Sequence, residues 1–171
     1  MVNDRIPEDV IKSLYSAIGS FMMSWNFLDS VLDCWISVIY QTAGGKHVEA
    51  EIPWTFSQKT KFVRRCLKTI DPLHGFKEEG LEILGTVTRI GKGTRHPLAH
   101  GALASYNPDG DIFSFTRTIL IDNKKMQKIT ISEIPGSQIL DDASECLRLA
   151  PAMTAFTYRL MEAFVPDYEP E

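Results

Sequence analysis

Long hydrophobic runs are missing from this sequence, which argues against a membrane-spanning helix. The most apolar stretch, residues 21–40, is interrupted by six serine, asparagine or aspartate residues, whereas a span needs about 18 or more apolar residues in succession. The start of the chain, MVNDRIPEDV, has no apolar core typical of a secretory signal. We therefore expect a cytosolic protein that has no membrane partner.

Cysteine is also scarce, with three residues in the chain: Cys34, Cys66 and Cys146. Their number is odd, and their spacing fits neither a zinc site nor a disulfide framework. Each lies on the apolar face of a predicted helix, so we expect three buried free thiols. A chain of this length buries roughly 70% of its unfolded surface, so its core suffices without cross-links.

The composition is that of an ordinary folded domain. Hydrophobic residues make up 44% and charged residues 23% of the 171 residues, which excludes the disordered and fibrous classes. Repeats are absent, and the one biased segment is the acidic stretch Asp167–Glu171. The length suits one domain, so we predict a single domain over residues 1–171.

The net charge of −4 argues against a general nucleic-acid coat, but the charge is distributed unevenly. Residues 59–100 carry nine basic and four acidic side chains, a net charge of +5, between two acidic flanks. A local basic segment attracts anions even in an acidic protein. Two solvated helix faces produce the same pattern, so both interpretations stay open at this point.

Apolar periodicity predicts four long helices. They cover about residues 7–41, 56–70, 76–90 and 137–164. Ser137 is the predicted N-cap of the last helix, and Pro151 is predicted to bend or split it. After the third helix, two glycines and Pro97 predict a distorted helical end over residues 91–101, closed by Gly101.

The first helix carries an apolar seam with alternating steps of three and four residues. A helix of about 50 Å is longer than a domain of this size usually needs for one core helix. The seam therefore favours a homodimer, and its two tryptophans are expected in the core or in the dimer interface. Its members are Ile11, Leu14, Ile18, Phe21, Trp25, Leu28, Leu32, Trp35 and Ile39.

Before the last helix, the spacing of apolar residues changes from a helical to a strand-like pattern, which indicates a β-rich segment. Three short strands are predicted over residues 102–106, 111–121 and 126–131, separated by the turn sequences Asn107–Gly110 and Asp122–Lys125. They form an antiparallel β-meander inserted at about residues 102–133. The predicted fold class is thus mainly α, an up-down bundle of four to five helices with a small β-meander before the last helix.

Arginine, histidine and glycine concentrate in one segment, residues 89–101. His96 and His100 are four residues apart, but no acidic residue or cysteine completes a local metal site, and Pro97 interrupts the helix. The glycines beside Lys92 lack the spacing and the preceding strand of a phosphate-binding loop. No serine-hydrolase or paired-carboxylate pattern occurs, so we predict neither a metal nor a cofactor.

The chemistry that remains is an arginine and a histidine acting on a phosphodiester. A histidine exchanges protons near neutral pH and can take the proton of an RNA 2′-hydroxyl. An arginine holds the phosphate through its planar donor fork and offsets charge in the transition state. RNA supplies its own nucleophile in the 2′-hydroxyl, so the reaction needs no metal.

The segment Arg95–His100, R-H-P-L-A-H, resembles the R-x4-H motif of the HEPN superfamily, in which a polar residue typically follows the arginine. Gly101 after the motif and the earlier segment Trp25–Asp29, W-N-F-L-D, are also similar to small bacterial members of that superfamily. The resemblance covers about residues 10–101 and the last helix. The β insertion lies outside it.

The resemblance implies a bundle of four or five helices that forms a homodimer, with the motifs of both chains lining one cleft. Many members of the superfamily are metal-independent endoribonucleases of toxin–antitoxin, phage-defence or RNA-processing systems, and they leave cyclic phosphate ends. By that analogy Arg95 holds the phosphate, His100 acts in proton transfer, and His96 orients or assists. Asp29 would face the cleft and steady Arg95.

Two functions follow from the resemblance, and the sequence leaves both open. The first is a metal-independent endoribonuclease acting as a homodimer, with RNA as its substrate and an antitoxin or another regulatory protein as a partner. Its RNA-binding residues would come from the basic segment, namely Lys92, Arg89, Arg64 and Arg65. The second is a catalytically inactive module of the same fold that binds nucleotides or protein partners.

Overall fold

The computed structural model describes residues 6–121 and 126–168, and these residues form a mainly α-helical protein. Within them, four long helices and a short one are present, and a three-stranded antiparallel sheet precedes the last helix. The predicted fold class, mainly α with a small β-meander before the last helix, is confirmed. No helix in the described ranges is long and apolar enough to cross a membrane. The elements are α1 Glu8–Gln41, α2 Phe56–Thr69, α3 Lys77–Ile90, α4 His96–His100, β1 Ala102–Asn107, β2 Ile112–Ile121, β3 Met126–Pro135 and α5 Gly136–Phe164.

The described residues group into two compact units. The first unit contains the described residues of Met1–Ser24 and Ile90–Glu145, and the second contains Trp25–Arg89 and the described residues of Cys146–Glu171. Both α1 and α5 contribute to each unit, so neither unit is one contiguous piece of the chain. The expectation of one domain over residues 1–171 stays a prediction.

The apolar seam of α1 packs mainly against other parts of the same chain. Seven of its nine residues are buried, and Ile11 and Ile18 are half-buried. Trp25 and Trp35 are 1% and 0% exposed, so of the two places expected for them the structure shows the core. The seam is thus mostly covered within the chain and does not by itself indicate a partner chain. The homodimer stays a prediction that rests on the resemblance alone.

Trp35 lies at the centre of the core of the second unit. Its ring packs against Phe156 of α5, with ring centroids 4.1 Å apart. Its indole Nε1 donates to Oγ1 of Thr157 at 2.9 Å and to the carbonyl of Met153 at 3.2 Å. A buried indole N–H needs such a partner, so packing and hydrogen bonding together hold α1 to α5 in this unit.

The last helix was predicted to bend or split at Pro151 and to begin after Ser137. It continues through Pro151, so the split is absent and the bend stays a prediction. Pro151 is exposed, so water can satisfy the carbonyl left without an N–H partner. The predicted N-cap is also wrong, because α5 begins at Gly136 and Ser137 is its second residue. The amide of Gly136 donates to the carbonyl of Asp111 at 2.8 Å, and this tertiary contact places the start of the helix before Ser137.

The predicted meander is confirmed as a sheet in the order β1–β2–β3, with both pairs antiparallel. Phe113 and Phe115 of β2 are buried, as is Ile134 of β3, which pairs with Phe113. As the central strand, β2 is hydrogen-bonded on both sides, so its side chains extend from a rigid support. The predicted turn Asp122–Lys125 lies outside the described residues.

Two of the three cysteines meet the expectation of buried thiols. Cys66 and Cys146 are buried, and burial raises the pKa of the Cys66 thiol to about 12. Cys34 is exposed, so the expectation is wrong for this residue. It precedes Trp35 on α1, and neighbours along a helix point about 100° apart, so a residue beside the seam can face solvent.

Candidate functional site

The site begins with a π-helical turn over Gly91–Arg95, here named the π turn, which joins α3 to α4. The amide of His96 donates to the carbonyl of Gly91, five residues back. Pro97 has no amide N–H and cannot restore the ordinary four-residue pattern. A π turn inserts extra backbone into a helix and re-aims the side chains that follow it. The predicted distorted helical end is thereby confirmed.

A buried polar network anchors the π turn. Thr94 is fully buried, and its hydroxyl donates to Oδ2 of Asp142 at 2.5 Å. Nε2 of Gln138 donates to the same threonine oxygen at 3.1 Å. Both partners lie near the start of α5, so the network ties the π turn to that helix within the first unit. Sequence reasoning missed all three residues, because nothing local marks a polar side chain as buried.

Replacing Thr94 with valine is expected to destabilise the protein by about 1–3 kcal/mol. Valine keeps the shape of threonine but removes the buried hydroxyl that donates to Asp142 and accepts from Gln138. Urea unfolding of the variant and of wild type measures the difference. The control is Thr118→Val at an exposed position of β2, which should change the free energy of unfolding by less than about 0.5 kcal/mol. If Thr94→Val and Thr118→Val lowered the free energy of unfolding equally, the result would contradict the anchoring role of Thr94.

The two ends of the motif meet beside the π turn. Nη1 of Arg95 lies 3.2 Å from Nε2 of His100, although residues five apart in a straight α-helix point about 140° apart. The distortion accounts for this approach, because Arg95 is the last residue of the π turn. Nε of Arg95 is buried and has no hydrogen-bond partner among the described residues, so the guanidinium is not saturated by these contacts.

A second arginine and a second histidine complete the group. The rings of His96 and His100 lie edge to face, with centroids 4.9 Å apart. Nε2 of His96 is in contact with Nη1 of Arg117, which belongs to β2. All four side chains lie in the first unit. Arg95, His96, His100 and Arg117 are named the Arg–His cluster below.

The electrostatic environment of His96 favours its neutral form. An arginine only donates hydrogen bonds, so an imidazole Nε2 that bonds to a guanidinium has to be the acceptor. Burial lowers the pKa of His96, and the positive charges of Arg117, His100 and Arg95 lower it further. A neutral imidazole is the form that takes up a proton. The surroundings of His96 therefore favour the form of imidazole that can act as a general base.

No acidic side chain neutralises the cluster within the described ranges. There, none of its four members forms an ion pair with aspartate or glutamate. The same residues contain no group of three histidine, cysteine, aspartate or glutamate side chains placed to hold a metal ion. Two guanidinium groups and two imidazoles without a carboxylate attract an anion, and phosphate oxygens match the donor fork of arginine.

Asp29, which was expected to steady Arg95, pairs with a lysine. Its Oδ1 accepts from Nζ of Lys59 at 3.1 Å, and Oδ1 of Asp33 accepts from the same amine at 2.7 Å. Burial favours a lower pKa for Lys59, but the hydrogen bonds that Lys59 donates to Asp33 and Asp29, together with the charges of these carboxylates, outweigh burial and raise it. Asp29 belongs to the second unit and Arg95 to the first, so a role of Asp29 toward Arg95 stays a prediction.

The four basic residues predicted to bind RNA are divided between the units. Lys92 is exposed on the π turn and shares the unit of the cluster. Arg65 of α2 pairs with Glu49 at 3.4 Å, and Arg64 beside it is half-buried. Together with the exposed Arg89 they belong to the second unit. The RNA-binding role of all four stays a prediction.

Arg117 is the member of the cluster that sequence reasoning missed, because the insertion lies outside the motif. One signal could have found it. Positions 113, 115 and 117 share one face of β2, and the first two are buried phenylalanines. A charged residue that continues a buried apolar face needs a polar partner. In the structure that partner is His96.

The Arg–His cluster thus joins the motif found in the sequence to a strand of the insertion. Its imidazoles can transfer protons, and its guanidinium groups can bind a phosphate. Comparison of the chain with protein-family models, with curated proteins and with solved structures finds no match.

Proposed function

We propose that this protein is a metal-independent endoribonuclease that cleaves RNA through attack by the 2′-hydroxyl. The observation that carries the proposal is the distance of 3.2 Å between Nη1 of Arg95 and Nε2 of His100. An arginine and a histidine at this distance are close enough to act on one phosphodiester, the arginine as phosphate ligand and the histidine as proton acceptor, and this supports the proposal. The resemblance of this pair to the R-x4-H motif of the HEPN superfamily supports the same function.

The reaction uses the two groups in different roles. Arg95 binds the non-bridging oxygens of the scissile phosphate, and its charge offsets the negative charge that builds up on them. This contact draws the guanidinium away from His100, and the neutral imidazole then takes the 2′-hydroxyl proton as O2′ bonds to phosphorus. The bond from phosphorus to O5′ breaks, and O5′ takes a proton from water. His96, edge to face with His100, orients that ring.

The proposal includes a homodimer in the cytosol. The motifs of two chains line one cleft in the HEPN superfamily, and the resemblance carries that arrangement to this protein. Lys92, Arg89, Arg64 and Arg65 would guide the RNA backbone by electrostatic attraction. An antitoxin or another regulatory protein that covers the Arg–His cluster would restrain the activity in the cell.

Wild-type protein is expected to cleave end-labelled total RNA and tRNA in the presence of EDTA, because no step uses a metal. The products should end in a 2′,3′-cyclic phosphate and a 5′-hydroxyl. A substrate with a 2′-deoxy nucleotide at the cleavage site should stay intact, because it lacks the nucleophile. Binding of RNA without cleavage would contradict the nuclease and support the alternative, a catalytically inactive binding module.

A further inference from the structure

We propose that Arg117, contributed by the β insertion, is a second phosphate-binding residue that acts beside Arg95. The inference rests on the proposed function, since it adds a substrate contact to the same site. It also gives the insertion, which lies outside the resemblance to the HEPN superfamily, a part in the reaction. The ligand is a phosphate of the RNA backbone.

The sheet gives Arg117 a rigid support. The residue is on the central strand β2, opposite Thr130 of β3. Oγ1 of Thr130 donates to the carbonyl of Arg117 at 3.3 Å. Phe113 and Phe115, which precede it on the same face, are buried. β2 pairs with β3 at Arg117 itself and with β1 as far as Thr116, so the guanidinium extends from a supported strand.

The end of α4 approaches β2 closely enough to bring His96 to Arg117. A Cβ at Gly101 would lie 2.6 Å from the carbonyl oxygen of Pro97 and 2.9 Å from Cβ of Phe115. Such distances are shorter than the contacts of real Cβ atoms, so glycine alone fits here without movement of the backbone. The helix and the strand are therefore packed together at the Arg–His cluster.

The charge of Arg117 has no counterion in the described part of the chain. Its contact there is with neutral His96, and a half-buried charge without a partner is unfavourable. An anion bound by Arg95 and Arg117 relieves this cost, because two donor forks can take the two non-bridging oxygens of one phosphate. By contrast, Arg159 of α5 has an acidic partner, Glu79, at 2.5 Å.

Phosphate binding would also change the charge around His96. The charged and titratable groups that act on this imidazole are Arg117 of β2 and, from its own helical segment, His100 and Arg95. In the free protein burial and then these charges lower its pKa. A bound phosphate offsets the charge of the guanidinium groups, so the pKa of His96 should rise on binding. Removal of Arg117 should raise it in the free protein.

The test compares Arg117→Ala with Lys128→Ala. Lys128 is exposed on the neighbouring strand β3, so both variants lose one positive charge from the same sheet. The probe is a 2′-O-methyl RNA octamer, which binds but has no free 2′-hydroxyl to attack. We expect Arg117→Ala to weaken its binding about 10-fold and to slow RNA cleavage about 10²-fold. Lys128→Ala should change each by less than about 3-fold.

Two further measurements keep a folding defect apart from a lost phosphate contact. Arg117→Lys keeps the charge but not the planar fork, so its binding and cleavage should fall between those of wild type and Arg117→Ala. An NMR titration should show a higher His96 pKa in Arg117→Ala than in wild type, and a higher one in wild type with the octamer than without it. Loss of folded structure would remove the dispersed histidine signals altogether.

The outcomes separate this inference from the proposed nuclease. Cleavage and binding by Arg117→Ala at wild-type levels would overturn the inference and leave the nuclease standing. Wild-type protein that binds the octamer through Arg117 but cuts no RNA would overturn the nuclease and leave the phosphate contact standing. Wild-type protein that neither binds the octamer nor cuts RNA would overturn both.

Discussion

Replacing Arg95 or His100 with alanine is expected to lower the rate of RNA cleavage in EDTA by about 10²–10⁴-fold. Without Arg95, the charge that develops on the phosphate oxygens loses its nearest guanidinium. Without His100, the 2′-hydroxyl loses its proton acceptor. Because both side chains act on one phosphodiester, the double variant should be little slower than the slower single variant. Initial rates on one end-labelled RNA measure all three.

Matched controls for these variants are Arg159→Ala and His74→Ala. Both residues belong to the second unit, and both side chains are about half exposed. Arg159 pairs with Glu79 at 2.5 Å, and His74 pairs with Asp71 at 3.7 Å. Neither control should change the cleavage rate by more than about 3-fold, because exposed ion pairs contribute little. If the Arg95 and His100 variants also cut RNA as fast as wild type, the active site lies elsewhere.

Replacing Trp35 with alanine is expected to lower the free energy of unfolding by about 3–5 kcal/mol. The ring is 0% exposed and packs on Phe156, so its loss leaves a cavity in the core of the second unit. The hydrogen bond of its Nε1 to Thr157 is lost as well. For a protein of ordinary stability, about 5–15 kcal/mol, this is a large fraction of the total.

The control for Trp35→Ala is Trp54→Ala. Trp54 is 84% exposed, so its removal leaves no cavity and should change stability by less than about 0.5 kcal/mol. Urea unfolding followed by far-UV circular dichroism gives both midpoints, and an unchanged slope shows that the two variants unfold to the same extent. A small loss for Trp35→Ala, similar to that for Trp54→Ala, would show that the α1 seam is not the core.

The predictability of α1 illustrates which features local sequence controls. The predicted helix, residues 7–41, matches Glu8–Gln41 to within one residue. Its apolar seam and the acidic residues of its first turn are spaced within one or two helical turns of each other. Signals of such short range act before any distant contact forms. The confirmed β-meander follows from the same kind of local information, an alternating pattern ended by turn residues.

The predictions that failed concern residues whose exposure, or whose place in a helix, depends on contacts with other helices or strands. Cys34 is adjacent to the seam of α1, and its exposure depends on the elements that pack around that helix. Pro151 did not split α5, because its position is exposed and the helix is held by packing on either side of it. The start of α5 depends on the contact of Gly136 with Asp111, 25 residues earlier in the chain. None of these contacts has a local signature.

The candidate site also has features that local sequence predicts and features that depend on tertiary packing. The spacing of Arg95 and His100 and the distortion of their segment follow from local sequence, since glycine and proline act on the backbone within a turn. The contact of His96 with Arg117 spans 21 residues, and that of Thr94 with Asp142 spans 48. Such pairs form only once helices and strands have packed, because burial and the need to satisfy polar groups are properties of the assembled fold. Tertiary packing thus brings Arg117 and the buried network of Thr94 to the segment Arg95–His100, which the sequence alone had indicated.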